Sequence, residues 1–133
     1  MKALLLSINP EHVENILNET KRFEFRKNRC RHPVDSLIIY STAPVKKIVG
    51  EAHIIRIIED SPEEIWNKTK DAAGITKGFF DEYYNGRKKA VAYELGDVIK
   101  YAEPKMLSDF GLRCPPQSFS YVDCRSGTIP RMA

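Results

Sequence analysis

Apolar positions along this chain change period several times, and each change marks an element. Leu4, Leu5, Leu6 and Ile8 make a short apolar run, cut off by Asn9-Pro10, which predicts a buried strand over residues 4–8. Asn9 is a favourable N-cap, and Pro10 fits the first helical position, where its missing N–H has no partner to lose. Val13, Ile16, Leu17 and Thr20 then recur at helical spacing, which predicts a helix of about three turns with one buried face. Phe23 and Phe25 alternate with Arg22, Glu24 and Arg26, the pattern of a half-buried strand with all three charged residues on one side. Residues 28–35, with Pro33 among them, read as a loop. A β-branched and aromatic run over residues 37–42 predicts a strand that Ala43-Pro44 stops.

The second half continues in the same way. Residues 48–58 form a long strand whose Glu51 and Arg56 fall on opposite faces, so a bend or bulge is expected near Gly50. Ser61-Pro62-Glu63-Glu64 opens a helix with a capping box, continued by Ile65, Trp66 and Thr69 and interrupted by Gly74. Thr76 caps a further helix through Phe79, Phe80, Tyr83 and Tyr84, stopped by Asn85-Gly86. Val91, Tyr93 and Leu95 alternate in another strand, which Ile99 and Tyr101 extend past Gly96. Residues 106–110 fit one helical turn, and residues 117–122 a last strand entered through Pro115-Pro116. Strands thus surround two helical insertions. The fold class expected is α+β: a small mixed or mostly antiparallel sheet of five to six strands curled into a barrel, with two to three helices. A doubly wound α/β fold fits less well, because most strands follow one another without a helix of crossover length. One domain over residues 1–122 and a loose tail over residues 123–133, where no hydrophobic period remains, complete the reading.

Composition narrows the setting. The 133 residues are 42% apolar and 29% charged, as in an ordinary globular domain. A chain of this size buries about 68% of its unfolded surface and needs no staple. The three cysteines, Cys30, Cys114 and Cys124, are odd in number and lack ligand spacing, so neither a disulfide framework nor a metal or other cofactor is expected; His32 and His53 are the histidines a zinc site would have to draw on. No apolar run reaches the roughly 18–20 residues of a membrane span, and the apolar start is too short for a signal peptide. A cytoplasmic protein that does not engage membranes is therefore expected. Protein partners and oligomeric state stay open.

Charge changes the picture more. The net charge is only +3, yet Lys21, Arg22, Arg26, Lys27, Arg29 and Arg31 crowd into residues 20–31. A local positive field of this kind suits an anionic partner such as RNA. The segment Glu19-Thr20-Lys21-Arg22-Phe23-Glu24-Phe25-Arg26 resembles the Gly-x-Lys-x-x-Glu-x-Arg motif of ASCH domains, which are PUA-like small β-barrels. The order of elements is also similar, including Tyr40-Ser41-Thr42-Ala43-Pro44 and a closing run Pro115-Pro116-Gln117-Ser118-Phe119 like that of one prokaryotic branch. The resemblance covers roughly residues 1 to 122. It departs at Glu19, where the family has Gly; a non-Gly residue in a left-handed turn costs about 1 kcal/mol, and Asn18 could take that conformation instead.

The resemblance implies a cleft lined by Lys21, Glu24 and Arg26 and a role in binding RNA or a modified nucleotide, regulatory in some members. Other members are hydrolases that deacetylate acetylcytidine, and others have been described as nucleases. The acetylcytidine hydrolases also use a Thr where this chain has Glu24, and a helical Glu for which only Ala72 and Ala73 lie near the expected place, so efficient hydrolysis of that type is not expected. For each residue more than one role stays open. Lys21 can oppose a helix dipole or hold a phosphate or carbonyl. Glu24 can orient Arg26, accept from a base amino group, or act with Lys21 as an acid–base pair. Arg22, Lys27, Arg29 and Arg31 are either a solvated rim or a set of phosphate contacts. Ser41 and Thr42 either cap a strand or hydrogen-bond a base or phosphate. Phe79, Phe80, Tyr83 and Tyr84 are expected in the core, with base stacking as the alternative. His12 and His53 show no partner spacing and are read as structural or exposed.

Overall fold

In the computed structural model, residues 2–117 and 119–123 are described; most of the expected tail, residues 124–133, lies outside them. The elements run β1 (Lys2–Ile8), α1 (Pro10–Leu17), β2 (Phe23–Arg26), β3 (Val34–Ser41), β4 (Lys47–Asp60), α2 (Pro62–Thr69), α3 (Lys77–Tyr83), β5 (Ala90–Lys105) and β6 (Phe119–Asp123). Short 3₁₀ turns at Lys70–Ala72 and Leu107–Phe110 complete the order. The six strands form one mixed sheet, in the order β2-β5-β4-β3-β1-β6. This is the α+β class expected, and the described residues leave the sheet open, with β2 and β6 as its edges. β1 runs parallel to β3 and antiparallel to β6.

The apolar run of β1 is explained by burial on both faces. Leu4, Leu6 and Ile8 pack with Val13 and Ile16 of α1. Ala3 and Leu5 pack on the opposite side with Ile38, Tyr40 and Phe110. A third cluster seats α2 and α3 over β2 and β5 through Phe23, Phe25, Ile65, Phe80 and Tyr84. The bulge expected near Gly50 is present as a register shift: Ile39 faces Gly50 and Tyr40 faces Ile48. A Cβ at Gly50 would lie 2.6 Å from the Ile99 carbonyl oxygen, so the close approach of β4 and β5 requires glycine there.

Several local expectations need correction. α1 has eight residues, shorter than the periodicity implied, because the chain leaves the helix at Asn18 to enter the motif turn. β2 begins at Phe23; Arg22 lies just before it, its carbonyl accepts from the Leu95 N–H of β5, and its side chain bonds Glu19 and the Gly96 carbonyl rather than lining the cleft with Glu24 and Arg26. At the start of α2 the Ser61 side chain accepts from the Glu64 N–H, but the Ser61 N–H goes to Asp60 Oδ1 rather than to Glu64. The last strand starts at Phe119, two residues later than expected. At the turn itself, Glu19 holds the left-handed conformation with φ 66, and Asn18 does not. Asn18 instead accepts from the Thr20 N–H and hydroxyl.

That turn makes a prediction. Glu19→Gly removes a strained Cβ worth about 1 kcal/mol. It also forfeits the solvent-screened Glu19–Arg22 pair, worth about 0.3 kcal/mol. The variant is therefore expected to unfold at higher urea than the parent, and a lower midpoint would contradict this account of the turn.

Candidate functional site

Lys21 leaves the α1 turn and enters the interior, where it is only 2% exposed. The backbone sets this path: the Lys21 N–H donates to the Asn15 carbonyl, and the Arg22 N–H to the Ala72 carbonyl. The Lys21 Nζ donates to the Ala73 carbonyl at 3.1 Å and lies 4.7 Å from the centre of the Phe25 ring. Its partner is thus the α2–α3 connection and not the end of α1. Gly74 makes room for it; a Cβ there would lie 2.4 Å from Lys21 Cβ.

Glu24 is buried beside Lys21 on β2. Its Oε1 is 3.9 Å from Lys21 Nζ, and its Oε2 is 3.0 Å from Arg26 Nη2 and 3.1 Å from Arg26 Nε. Arg26 Nη2 also donates to the Ser7 carbonyl at 2.9 Å, which ties the end of β2 to β1. Tyr84 Oη donates to the Arg26 carbonyl and is near the Val91 carbonyl, pinning β2 against β5. The three motif residues are therefore one connected group. Burial pushes the Lys21 ammonium below its usual value, with Arg26 adding to that effect and Glu24 opposing it.

This group lines a cleft of about 180 Å³ at the junction of β1, α1, β2 and α3. Ile8, Phe25, Ile75, Phe79 and Tyr83 supply its apolar walls. Ser7, Asn9 and His12 join Lys21, Glu24 and Arg26 as its polar groups. The aromatic residues of α3 divide by helical face. Phe80 and Tyr84 are buried in the third cluster, while Phe79, 49% exposed, and the half-buried Tyr83 line the cleft. Burial raises the Tyr83 phenol above its ordinary range, so it stays protonated at neutral pH and can donate.

The basic segment divides too. Lys27 Nζ lies 4.8 Å from the centre of the Tyr83 ring, beside the cleft. Arg87, not singled out in the sequence, joins it there by donating to the Lys27 carbonyl and Asn28 Oδ1. Arg29 and Arg31 line a different depression with His32 and Arg56, and Arg29 pairs with Glu59 at 4.0 Å. Ser41 is buried and pairs in register with Ile8; the Thr42 N–H donates to the Ile8 carbonyl, so both sit behind the cleft wall rather than among its lining residues.

His12 is a lining residue that the sequence pattern left as structural or exposed, and Ser7 and Ile75 line the cleft without having been singled out. His12 lies four residues before the buried Ile16, on the same helical side, and this spacing was the available signal. Its ring meets Phe79 edge to face at 5.2 Å. Burial lowers its pKa, with Lys21 and Arg26 lowering it further and Glu24 and Glu11 opposing. Among the described residues, no three of His, Cys, Asp and Glu gather as a metal site requires, and no helix is long and apolar enough to cross a membrane. Cys30 is a buried free thiol and Cys114 an exposed one; Cys124 lies outside the described residues.

Comparisons with known proteins meet this geometry. A family described as Domain of unknown function (DUF365) matches residues 1–111. The chain is 31% identical over 122 residues to the ATP synthase subunit alpha of Ureaplasma parvum; the match takes in 91% of this chain and spans 15% of that protein's length. It is 30% identical over 128 residues to a Zymomonas mobilis protein named ASCH domain-containing ribonuclease, with 91% of this chain and 84% of that protein covered. The crystal structure of ASCH from Zymomonas mobilis superposes with a TM-score of 0.88 at 24% identity, over 98% of this chain and 94% of that one, a likeness of fold.

Proposed function

The chain belongs to the ASCH domain family and to the family described as DUF365, and from that premise we propose that it binds RNA or a modified nucleotide in the cleft of Lys21, Glu24 and Arg26. The observation that carries this reading is that the buried Lys21 and Glu24 and the half-buried Arg26 form one bonded group on the wall of an aromatic-sided cleft. Burying a cation and a carboxylate, with a second cation half-buried beside them, is a poor way to add stability, since apolar residues of the same volume do as well or better. Placing them beside apolar walls supplies a few fixed polar groups with aromatic surface, the usual make-up of a small-ligand site. Glu24 is held by Arg26 and Lys21, and its carboxylate oxygens suit it to accept from a base amino group.

Outside the cleft, Lys27 and Arg87 are the cations suited to the ligand's phosphates. Two such contacts to single-stranded RNA give a salt slope of about 1.4 log units of affinity per log unit of salt. Lys27→Ala is expected to lower that slope by about 0.7. Fluorescence anisotropy with a labelled RNA across a salt series measures both; a flat response in the parent protein contradicts the phosphate role.

A second reading, cleavage of RNA, is favoured by one observation: the Zymomonas relative carries the name ribonuclease. Gel analysis of a labelled RNA after incubation with the protein separates the two, because a binding module leaves the strand intact. Hydrolysis of acetylcytidine is disfavoured. Glu24, bonded to Arg26, stands in the slot where those hydrolases carry Thr, and near the place of their helical Glu this chain offers Lys21 only the Ala73 backbone carbonyl.

A further inference from the structure

His12 Nδ1 is buried and has no hydrogen-bond partner among the described residues. Such an atom destabilises a fold by about 1–3 kcal/mol, so packing alone would favour an apolar side chain at this position. The ring nonetheless lines the same cleft as Lys21, Glu24 and Arg26. We infer that His12 is the residue that reads the ligand: its Nδ1 accepts a hydrogen bond from an N–H on the edge of a single nucleobase lodged in the cleft. The inference rests on the RNA- or nucleotide-binding reading above and adds the group that discriminates between bases.

The walls favour a base over a bare anion. Ile8 and Ile75 are apolar, and Phe79 and Tyr83 add aromatic rings. A phosphate would gain nothing from them, whereas an unstacked base buries both of its faces. The space of about 180 Å³ is below the roughly 300 Å³ at which drug-sized pockets begin, and so suits one base rather than several. Nδ1 is buried, so a base edge reaches it only when a wall residue turns aside; we assign that movement to Phe79, which packs on the His12 ring and is half open to solvent.

The charge state agrees with the role. Burial holds the imidazole neutral at pH 7, and the Lys21 and Arg26 cations act in the same direction against Glu24 and Glu11. A neutral ring with its proton on Nε2 presents Nδ1 as an acceptor. All four bases carry an amino or imino N–H, so the ranking follows from where that N–H lies on the base edge relative to Nδ1.

The test uses oligo-uridine strands in which one central nucleotide is A, C, G or U. The parent protein is expected to rank these four strands. His12→Phe keeps the ring and its packing but loses the acceptor. It should flatten the ranking and weaken the preferred strand by about tenfold, the value of one lost hydrogen bond. It should also melt at or above the parent temperature. His12→Asn, whose Oδ1 takes roughly the place of Nδ1, should retain the ranking. Lys27→Ala should weaken all four strands alike. In ¹⁵N spectra the His12 Nδ1 resonance should move when the preferred strand is added. If His12→Phe ranks the strands as the parent does, while Glu24→Gln loses binding, the inference falls and the cleft reading stands. If the parent binds all four equally, the inference falls again. If the parent binds none of them, both readings fall.

Discussion

Glu24→Gln is expected to destabilise the protein by about 3 kcal/mol, the usual result of removing one partner from a buried charge group. Glutamine keeps the shape and an oxygen for Arg26, but it removes the negative charge that Lys21 and Arg26 share. Lys21, 2% exposed, then sits in the interior as a cation compensated, among the described residues, by the Ala73 carbonyl and the Phe25 ring. Against a typical total of about 5–15 kcal/mol, such a loss is large enough to read directly from urea unfolding. Adding Lys21→Met in the same chain should recover part of it, because the unpaired cation is replaced by an apolar chain of similar length. Strict additivity of the two losses would show that Lys21 and Glu24 do not act on each other. The same variant discriminates function: affinity for RNA should fall in a binding module, whereas a catalytic Glu24 would lose turnover with affinity largely intact.

Gly74→Ala is expected to cost about 2–4 kcal/mol and to weaken ligand binding. Two effects add. Gly74 has φ +71, where an alanine costs about 1 kcal/mol. Its new Cβ would also fall 2.4 Å from Lys21 Cβ, 2.6 Å from Cγ and 2.9 Å from Cα, so either the α2–α3 connection or Lys21 must move, at about 1–3 kcal/mol. Gly86 provides the control. It has φ +77 with nothing within 4 Å of a built Cβ, so Gly86→Ala should show the backbone effect alone. Equal melting of the two variants would mean that the connection yields freely and that Lys21 is not clamped by it. Because the displaced part carries the Ala73 carbonyl, Gly74→Ala should also weaken RNA binding, whereas Gly86→Ala should leave it unchanged.

Much of this architecture is legible in the residue pattern because local rules act within a few positions. Asn9, Ser61 and Thr76 cap their helices through their own side chains, accepting from Glu11, Glu64 and Phe79. The alternation of Phe23 and Phe25 with Glu24 and Arg26 reports which side of β2 faces the third cluster. The bulge near Gly50 is betrayed by charges that fall on both faces of one strand. Where the reading slipped, a longer-range contact intervened. The Arg22 N–H turns away from β5 to the Ala72 carbonyl, and its side chain reaches the Gly96 carbonyl. Arg29 and Arg31 are adjacent to the motif in sequence, yet the loop carries them to a depression formed with β4.

The residue pattern alone carries the order of elements, the α+β class, and the motif residues Lys21, Glu24 and Arg26 as the charged group to watch. Their types and spacing are local facts, and the period of a strand is enough to put Glu24 and Arg26 on one side. Only the tertiary structure decided what surrounds them. The Ala73 carbonyl reaches Lys21 from 52 positions away, and the Ser7 carbonyl meets Arg26 from 19. Backbone carbonyls are the same in every residue, so no letter in the sequence marks them as acceptors. His12 became visible for the same reason in reverse. A side chain shows itself as unpartnered only after every other group around it has been placed.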